Sequence, residues 1–271
     1  MTVAIVGVGT VGEVLLGGML RAGRTPDQIL VVARRASRGE EIRHRYGVAV
    51  RDLKQAAAEA TTLLICVKPQ DISSLLAELV PHVTDRHLVI SVAAGVPTTF
   101  IEQSLGVAVP VVRAMPNTPA LVDQAMSAVS AGAHASSQHL AVAEELLLPV
   151  GRVLRVPEYQ LDAVTALSGS GPAYFFYLVE AMIDAGILLG LPRSMAADLV
   201  VQTALGAATM LRDSGEHPVK LREAVTSPAG TTINAIVELE KHGVRAALIA
   251  AISAARDRSA ELAAGFTPLE R

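Results

Sequence analysis

The chain has 271 residues, enough for two cores at roughly 100–200 residues per domain. With 51% hydrophobic and 18% charged residues it carries too much apolar surface to stay disordered, and its net charge of −3 provides no concentrated basic face for a nucleic acid. No tryptophan, four Tyr and four Phe leave Ala, Val, Leu and Ile to pack the interior, which favours close helix–helix and helix–sheet contacts. The single cysteine, Cys66 in the run LLICV, has no intrachain partner and reads as a buried strand residue of a reducing compartment, so a cytoplasmic protein is expected. The start MTVAIVGVG lacks the parts of a secretory signal, and no uninterrupted apolar run approaches the roughly 18 residues of a membrane span, so no membrane association is expected.

Residues 1–160 alternate short β-branched runs with helix-like segments, the pattern that needs helical crossovers between parallel strands. Strands are predicted at Val3–Val6, Ile29–Ala33, Leu63–Val67, Leu88–Val92 and Val109–Ala114. Continuous apolar runs of this kind suit strands covered on both faces, as in a doubly wound sheet. Segments around Ala125–Ala131 and Arg152–Val156, separated by a helix from Gln138 to Leu148, are expected to extend that sheet. From about Tyr159 the β-branched runs give way to long Ala/Leu-rich segments punctuated by Gly and Pro, so residues 161–271 are expected to form an all-helical second domain. Its segment Pro172–Gly186 is apolar on every face, through Tyr174, Phe175, Phe176, Tyr177, Leu178, Val179, Met182 and Ile183, and must be enclosed. A second copy of the chain is the expected cover, giving a homodimer, with burial between the two domains as the alternative.

Directly after the first strand, Gly7-Val8-Gly9-Thr10-Val11-Gly12 opens an apolar helix. In that context the glycines have physical roles: a tight turn at Gly7, backbone approach to a pyrophosphate at Gly9 and close helix–strand packing at Gly12, with the free N–H groups of the helix start facing the anion. A glycine-rich turn without ligand is the competing reading. The second strand runs into Val32-Ala33-Arg34-Arg35-Ala36-Ser37-Arg38 and lacks the acid that usually grips a ribose 2′-hydroxyl. Guanidinium groups there match a 2′-phosphate in charge and fork geometry, which favours NADPH over NADH; Arg34 and Arg35 share this role, against the alternative of a solvated basic loop.

Two later strand ends, Val67-Lys68-Pro69 and Ala93-Ala94-Gly95, fall where open α/β sheets bind ligands and are expected to wall the cofactor. In Met115-Pro116-Asn117-Thr118-Pro119, two prolines stiffen a turn whose Asn117 amide suits the nicotinamide carboxamide; a plain turn residue is the alternative. Further on, Ser227-Pro228-Ala229-Gly230-Thr231-Thr232 precedes the helical pattern INAIVELEKHG. Two hydroxyls and a helix start could hold a carboxylate without an arginine, although simple Ser/Thr capping explains the same spacing.

The stretch Leu221–Ile236, LREAVTSPAGTTINAI, closely resembles the signature of the pyrroline-5-carboxylate reductase family. GVGTVG, VKP, AAG, MPNTP, LSGSGPA at 167–173 and GLPR at 190–193 resemble that family's landmarks in the same order, across essentially the whole chain. The resemblance implies a Rossmann-type domain followed by a helical dimerisation domain, NADPH or alternatively NADH as cofactor, and reduction of 1-pyrroline-5-carboxylate to proline. It also implies a homodimer that assembles further into rings such as a decamer of five dimers. Position by position, it points to Thr231 as the hydroxyl beside the substrate ring nitrogen and to the N–H groups of Gly230 and Thr231 as carboxylate ligands. Thr232, Ser227 and Glu216 follow as supporting substrate-side groups. No metal is expected. The chain departs from the family in having Ala229-Gly230 where Gly–Gly is usual, and Ala224 and Leu53 where some members carry Asn.

Rival readings are a β-hydroxyacid dehydrogenase, another imine reductase, or a non-catalytic NADPH sensor. The first normally needs a buried lysine, and residues 161–271 offer only Lys220 and Lys241.

Overall fold

The structure, a computed structural model, describes residues 1–266. Strands β1 (Val3–Val6), β2 (Ile29–Val32), β3 (Ala49–Val50), β4 (Thr62–Ile65), β5 (Leu88–Ser91), β6 (Val111–Met115), β7 (Ala125–Ala131) and β8 (Gly151–Arg155) form one sheet in the order β3-β2-β1-β4-β5-β6-β7-β8. All neighbouring strands are parallel except β6 and β7. Helices α1 (Thr10–Arg21), α2 (Ala36–Tyr46), α3 (Leu53–Glu59), α4 (Ile72–Leu79), α5 (Thr98–Leu105) and α6 (Ser137–Leu147) serve as the crossovers. The order reverses between β1 and β4, the point at which sheets of this kind open a ligand crevice beyond their carboxyl strand ends.

The apolar runs are buried on both faces, as continuous rather than alternating patterns require. One face packs Ile5, Val31, Leu64, Ile90 and Val112 against Leu15, Leu16 and Met19 of α1. The other packs Ala4, Leu63, Ile65 and Val89 against Ile72, Leu76 and Leu79 of α4 and Ile101 of α5. The expected strands are present within a residue or two at their ends. The additional strand β3 has two residues, below the length at which a repeating pattern can be read, and it follows a left-handed Gly47 (φ 70°) that ends α2.

The remaining helices are α7 (Leu161–Val164), α8 (Gly171–Leu188), α9 (Arg193–Ser214), α10 (Pro218–Ala224), α11 (Thr231–Lys241) and α12 (Val244–Ala264). A π-helical turn, Thr165–Gly169, lies between α7 and α8. The chain divides into two compact units, Met1–Ser170 with the residues from Ala255 onward, and Gly171–Ala254. The boundary therefore falls ten residues later than 160, because α7 and the π turn pack with the sheet unit. Residues 255–266 also belong to the first unit and not to the second: Ser259 donates to Asp162 (2.7 Å), Leu262 covers Gly95, and Phe266 meets Phe100 edge-on at 5.2 Å. The expected second domain ran to 271, and its last five residues lie outside the described residues.

In the helical unit α8 and α9 fold back on each other through Gly190 (φ 91°) and touch at small residues; a Cβ on Gly186 would lie 2.9 Å from that of Ala196. The apolar surface of α8 stays open among the described residues: Phe175, Phe176 and Tyr177 are 67%, 68% and 73% exposed. Averaged over their length, the helical stretches Glu158–Leu188 and Arg193–Ser214 are long and apolar enough to cross a membrane by length and composition. The expectation of no such segment considered only uninterrupted apolar runs, whereas these stretches spread their apolar residues among Gly, Ala and a few charges.

Candidate active site

The turn after β1 is shaped by its glycines. Gly7 has φ +96° and its N–H donates to Val32 at 2.9 Å, a geometry that suits a residue without a side chain. A Cβ on Gly12 would stand 2.2 Å from the Gly7 carbonyl oxygen, so α1 can lie against the turn only with glycine at this position. Beside Gly9, by contrast, a Cβ would meet nothing within 4 Å. That open side borders a cavity of ≈ 590 Å³ lined by Gly7, Val8, Gly9, Arg34, Arg35 and Lys68 among others. Helix α1 begins at Thr10 with no side-chain cap, so the N–H groups of Thr10, Val11 and Gly12 remain for an anion. An open backbone, an uncapped helix start and two arginines lining the same cavity fit a dinucleotide with an extra phosphate.

The arginines are not equivalent. Arg34 is 85% exposed and pairs at 3.3 Å with Asp71, which arrives from the turn after β4. Arg35 begins α2 and makes no ion pair among the described residues. Arg38, not singled out from sequence, lines the same cavity. Its Nε donates to the Val8 carbonyl (3.0 Å), and its guanidinium pairs with Glu13 of α1 and with Glu41 (2.8 Å), tying the glycine turn to α2. Burial pushes the Glu13 carboxyl up, but hydrogen bonds from Arg38, Tyr46 and Arg45, together with the Arg38 charge, outweigh it and hold the pKa below the usual carboxylate range. Spacing could not reveal the link from Arg38 to the glycine turn and α1, because Glu13 and Val8 lie 25 and 30 residues away. Cys66 forms part of the cavity floor; desolvation pushes its thiol up to about 12, leaving a packing residue rather than a nucleophile.

Of the later strand ends, Val67 packs against Gly7 and lines the cavity with Lys68, while Pro69 starts the turn that carries Asp71. Ala93 and Gly95 are buried, Ala94 is exposed, and none of the three lines this cavity. The expected carboxamide role of the Asn117 side chain meets a competing engagement. Its Oδ1 accepts from Met126 N–H (2.9 Å), and its Nδ2 donates to the carbonyl and hydroxyl of Ser168 (3.1 and 3.2 Å). Both Nδ2 protons are spent within the protein; the Ser168 carbonyl can accept because Pro172, four residues on, has no N–H to donate to it. Asn117 therefore joins β7 to the start of the helical segment.

In the helical unit, residues 227–230 form a turn closed by Gly230 N–H donating to the Ser227 carbonyl at 3.1 Å. Pro228 and Ala229 are the central residues, and Ala229 has φ +55°, where a type II turn favours glycine. A Cβ on Gly230 would lie 2.3 Å from Ser227 Oγ, so a larger residue there would force the Ser227 hydroxyl to turn away. The Gly230 N–H donates within the turn, an engagement that competes with its expected role as a carboxylate donor. Among the described residues the N–H groups left without a cap are at Thr231 and Thr232, the first residues of α11. Asn234 Nδ2 donates to the Gly230 carbonyl at 2.9 Å and steadies the tip. Glu216 pairs with Lys220 at 3.0 Å between α9 and α10, and no hydrogen bond or ion pair among the described residues joins it to Ser227, Thr231 or Thr232.

A doubly wound sheet with a glycine-turn anion site and a phosphate-matching strand end defines a nicotinamide-dinucleotide-dependent oxidoreductase. Known proteins narrow that class. Residues 158–262 match the family described as pyrroline-5-carboxylate reductase dimerisation, and residues 2–95 match the one described as NADP oxidoreductase, coenzyme F420-dependent. The pyrroline-5-carboxylate reductase of Corynebacterium melassecola is 45% identical, over 96% of this chain and 98% of its own. The structure resembles a pyrroline-5-carboxylate reductase from Coxiella burnetii, with a TM-score of 0.92 at 37% identity, covering 96% of this chain and 98% of that one. It also resembles the Plasmodium falciparum pyrroline carboxylate reductase with NADP bound (TM-score 0.86, 25% identity, 97% and 98% covered). The chain belongs to the pyrroline-5-carboxylate reductase family.

Proposed function

We propose that this protein reduces 1-pyrroline-5-carboxylate to L-proline with NADPH, as a homodimer in the cytoplasm. The observation that carries the cofactor half is the open backbone at Gly9 beside an uncapped α1, in a cavity that Arg34 and Arg35 also line. NADPH, when bound, supplies the hydride that the imine carbon needs. The chain's own residues bind and orient. Gly7, Val8, Gly9, Thr10, Val11 and Gly12 present backbone to the pyrophosphate, Arg35 and then Arg34 take the 2′-phosphate, and Val67 and Lys68 form the opposite wall. Pro69, Ala93, Ala94 and Gly95 act by shaping the flanking turns.

For the substrate, the N–H groups of Thr231 and Thr232 at the positive end of α11 hold the carboxylate. The Thr231 hydroxyl accepts the N–H of the protonated ring imine. Ser227 supports it from across the turn, and Glu216 contributes charge from the α9–α10 link. The protonated imine is already a good hydride acceptor, so positioning can supply most of the acceleration, about 7–11 kcal/mol in well-oriented systems. One proton ends on the ring nitrogen and one hydride on C5, which balances the reduction of a single C=N bond.

The exposed α8 surface supports the homodimer, with a second copy as its cover; a ring of five such dimers is the finer form of the same reading. The deciding assay is NADPH oxidation dependent on 1-pyrroline-5-carboxylate, run beside a panel of 3-hydroxyacids with NADP. Turnover of the imine alone supports the reading, oxidation of a hydroxyacid alone points to a dehydrogenase, and binding of NADPH without turnover of either points to a sensor.

A further inference from the structure

The second strand lacks a terminal acid, yet the structure brings one to the same place from elsewhere. Asp71 closes the short 3₁₀ turn after β4, its N–H donating to the Lys68 carbonyl (2.9 Å) and its carbonyl accepting from Ser74 Oγ (3.0 Å). This anchored backbone holds the carboxylate in the cofactor cavity, with Oδ1 3.3 Å from Nη1 of Arg34. Arg34 reaches toward it although 85% exposed, and Arg35 on the same strand end has no such partner.

We propose that Asp71 is a specificity-determining residue of this cavity, one that occupies Arg34 and thereby holds down the preference for NADPH over NADH. The inference rests on the proposed reading of the cavity as a nicotinamide-dinucleotide site. Three physical effects act in one direction. A 2′-phosphate, carrying about −1.5 to −2 charge, must compete with Asp71 for the Arg34 fork. It is also repelled by the carboxylate itself. A ribose with a free 2′-hydroxyl is not repelled and can donate a hydrogen bond to the same oxygen, the task that an acid at the end of the second strand performs in NAD-binding units. The site thus carries an arginine pair suited to NADPH and one carboxylate suited to NADH, lining the same cavity.

The test measures dissociation constants of NADPH and NADH by cofactor fluorescence on the full chain, for the unaltered protein, Asp71→Asn, Arg34→Ala and the double variant. Asp71→Asn is expected to tighten NADPH about fivefold, as release of a partly exposed ion pair allows, while NADH stays unchanged or weakens. In the Arg34→Ala background the part of that gain that comes from freeing the Arg34 fork is expected to vanish, leaving the smaller part that comes from relief of repulsion. Asp71→Ser, checked for an unchanged melting temperature, should shift the ratio in the same direction if Asn disturbs the turn. An NADPH:NADH ratio that is unmoved, or that moves toward NADH, in properly folded variants overturns the proposal. If the unaltered protein binds neither nucleotide, the cavity reading itself fails and takes the proposal with it.

Discussion

In the sheet unit the large aliphatic side chains are inside: Ile5, Leu15, Leu16, Leu63, Leu64, Ile65 and Leu76 are almost fully buried between the sheet and its helices. Between Gly171 and Ala254 the only buried residues are Gly171 and Ala196, while Phe175, Phe176, Tyr177, Leu188 and Leu189 stand exposed. Both regions are rich in apolar residues, so composition alone does not tell them apart. A sheet closes its core with its own crossover helices, whereas a pair of Ala-rich helices covers only one stripe of each and leaves the rest to another surface. Each large side chain so left is worth about 1.5–3 kcal/mol when covered, a strong drive to associate. The first unit therefore carries its stability within one chain, and the second is expected to draw it from a second copy.

The largest expected effects test that contrast directly. Leu16→Ala in the first unit should cost about 2–5 kcal/mol, read by denaturant unfolding, with a loss independent of protein concentration. Phe176→Glu should instead convert dimer to monomer in sedimentation velocity while leaving NADPH binding in place. A dimer that survives a charge at this position would show that α8 is not the joining surface.

Next come the two binding regions, one in each unit. Replacing Arg34 and Arg35 together by Ala should weaken NADPH by a factor of about ten to a hundred with little change for NADH, and Arg35→Ala alone should account for most of it, since Asp71 already holds Arg34. Equal losses for both nucleotides would refute the phosphate assignment. Thr231→Ala should lower turnover about tenfold with NADPH affinity nearly unchanged, through loss of one charge-assisted hydrogen bond. Unaltered turnover would remove this hydroxyl from the mechanism.

The smallest expected effect concerns the turn at 227–230. Ala229→Gly should raise stability by about 0.5–1 kcal/mol, because glycine adopts φ +55° without the steric cost that alanine meets, less the extra chain entropy it loses on folding. A lower melting temperature in this variant would mean that the alanine methyl makes a packing contact worth more than the strain.

Much of this protein was legible in one dimension. Strand–turn–helix alternation, the GVGTVG turn and the arginines after β2 each depend on a few neighbouring residues, and local sterics and local hydrogen bonds act over that same range. The buried strands, the doubly wound sheet and the all-helical second part followed from periodicity, and the family from several motifs in order. What the chain order could not show was which group meets which across long separations. Asp71 beside Arg34, Arg38 on the Val8 carbonyl and Asn117 on Ser168 join residues 37, 30 and 51 positions apart, and each changes the role that local context suggests. The Gly230 N–H is engaged by a turn bond, and the unit bounds follow from α7, the π turn and the last part of α12, which group with the sheet unit. Local pattern determines which elements form because backbone sterics and burial period are properties of short segments. Partnership among polar groups is decided only when the folded chain brings distant donors and acceptors within about 3 Å.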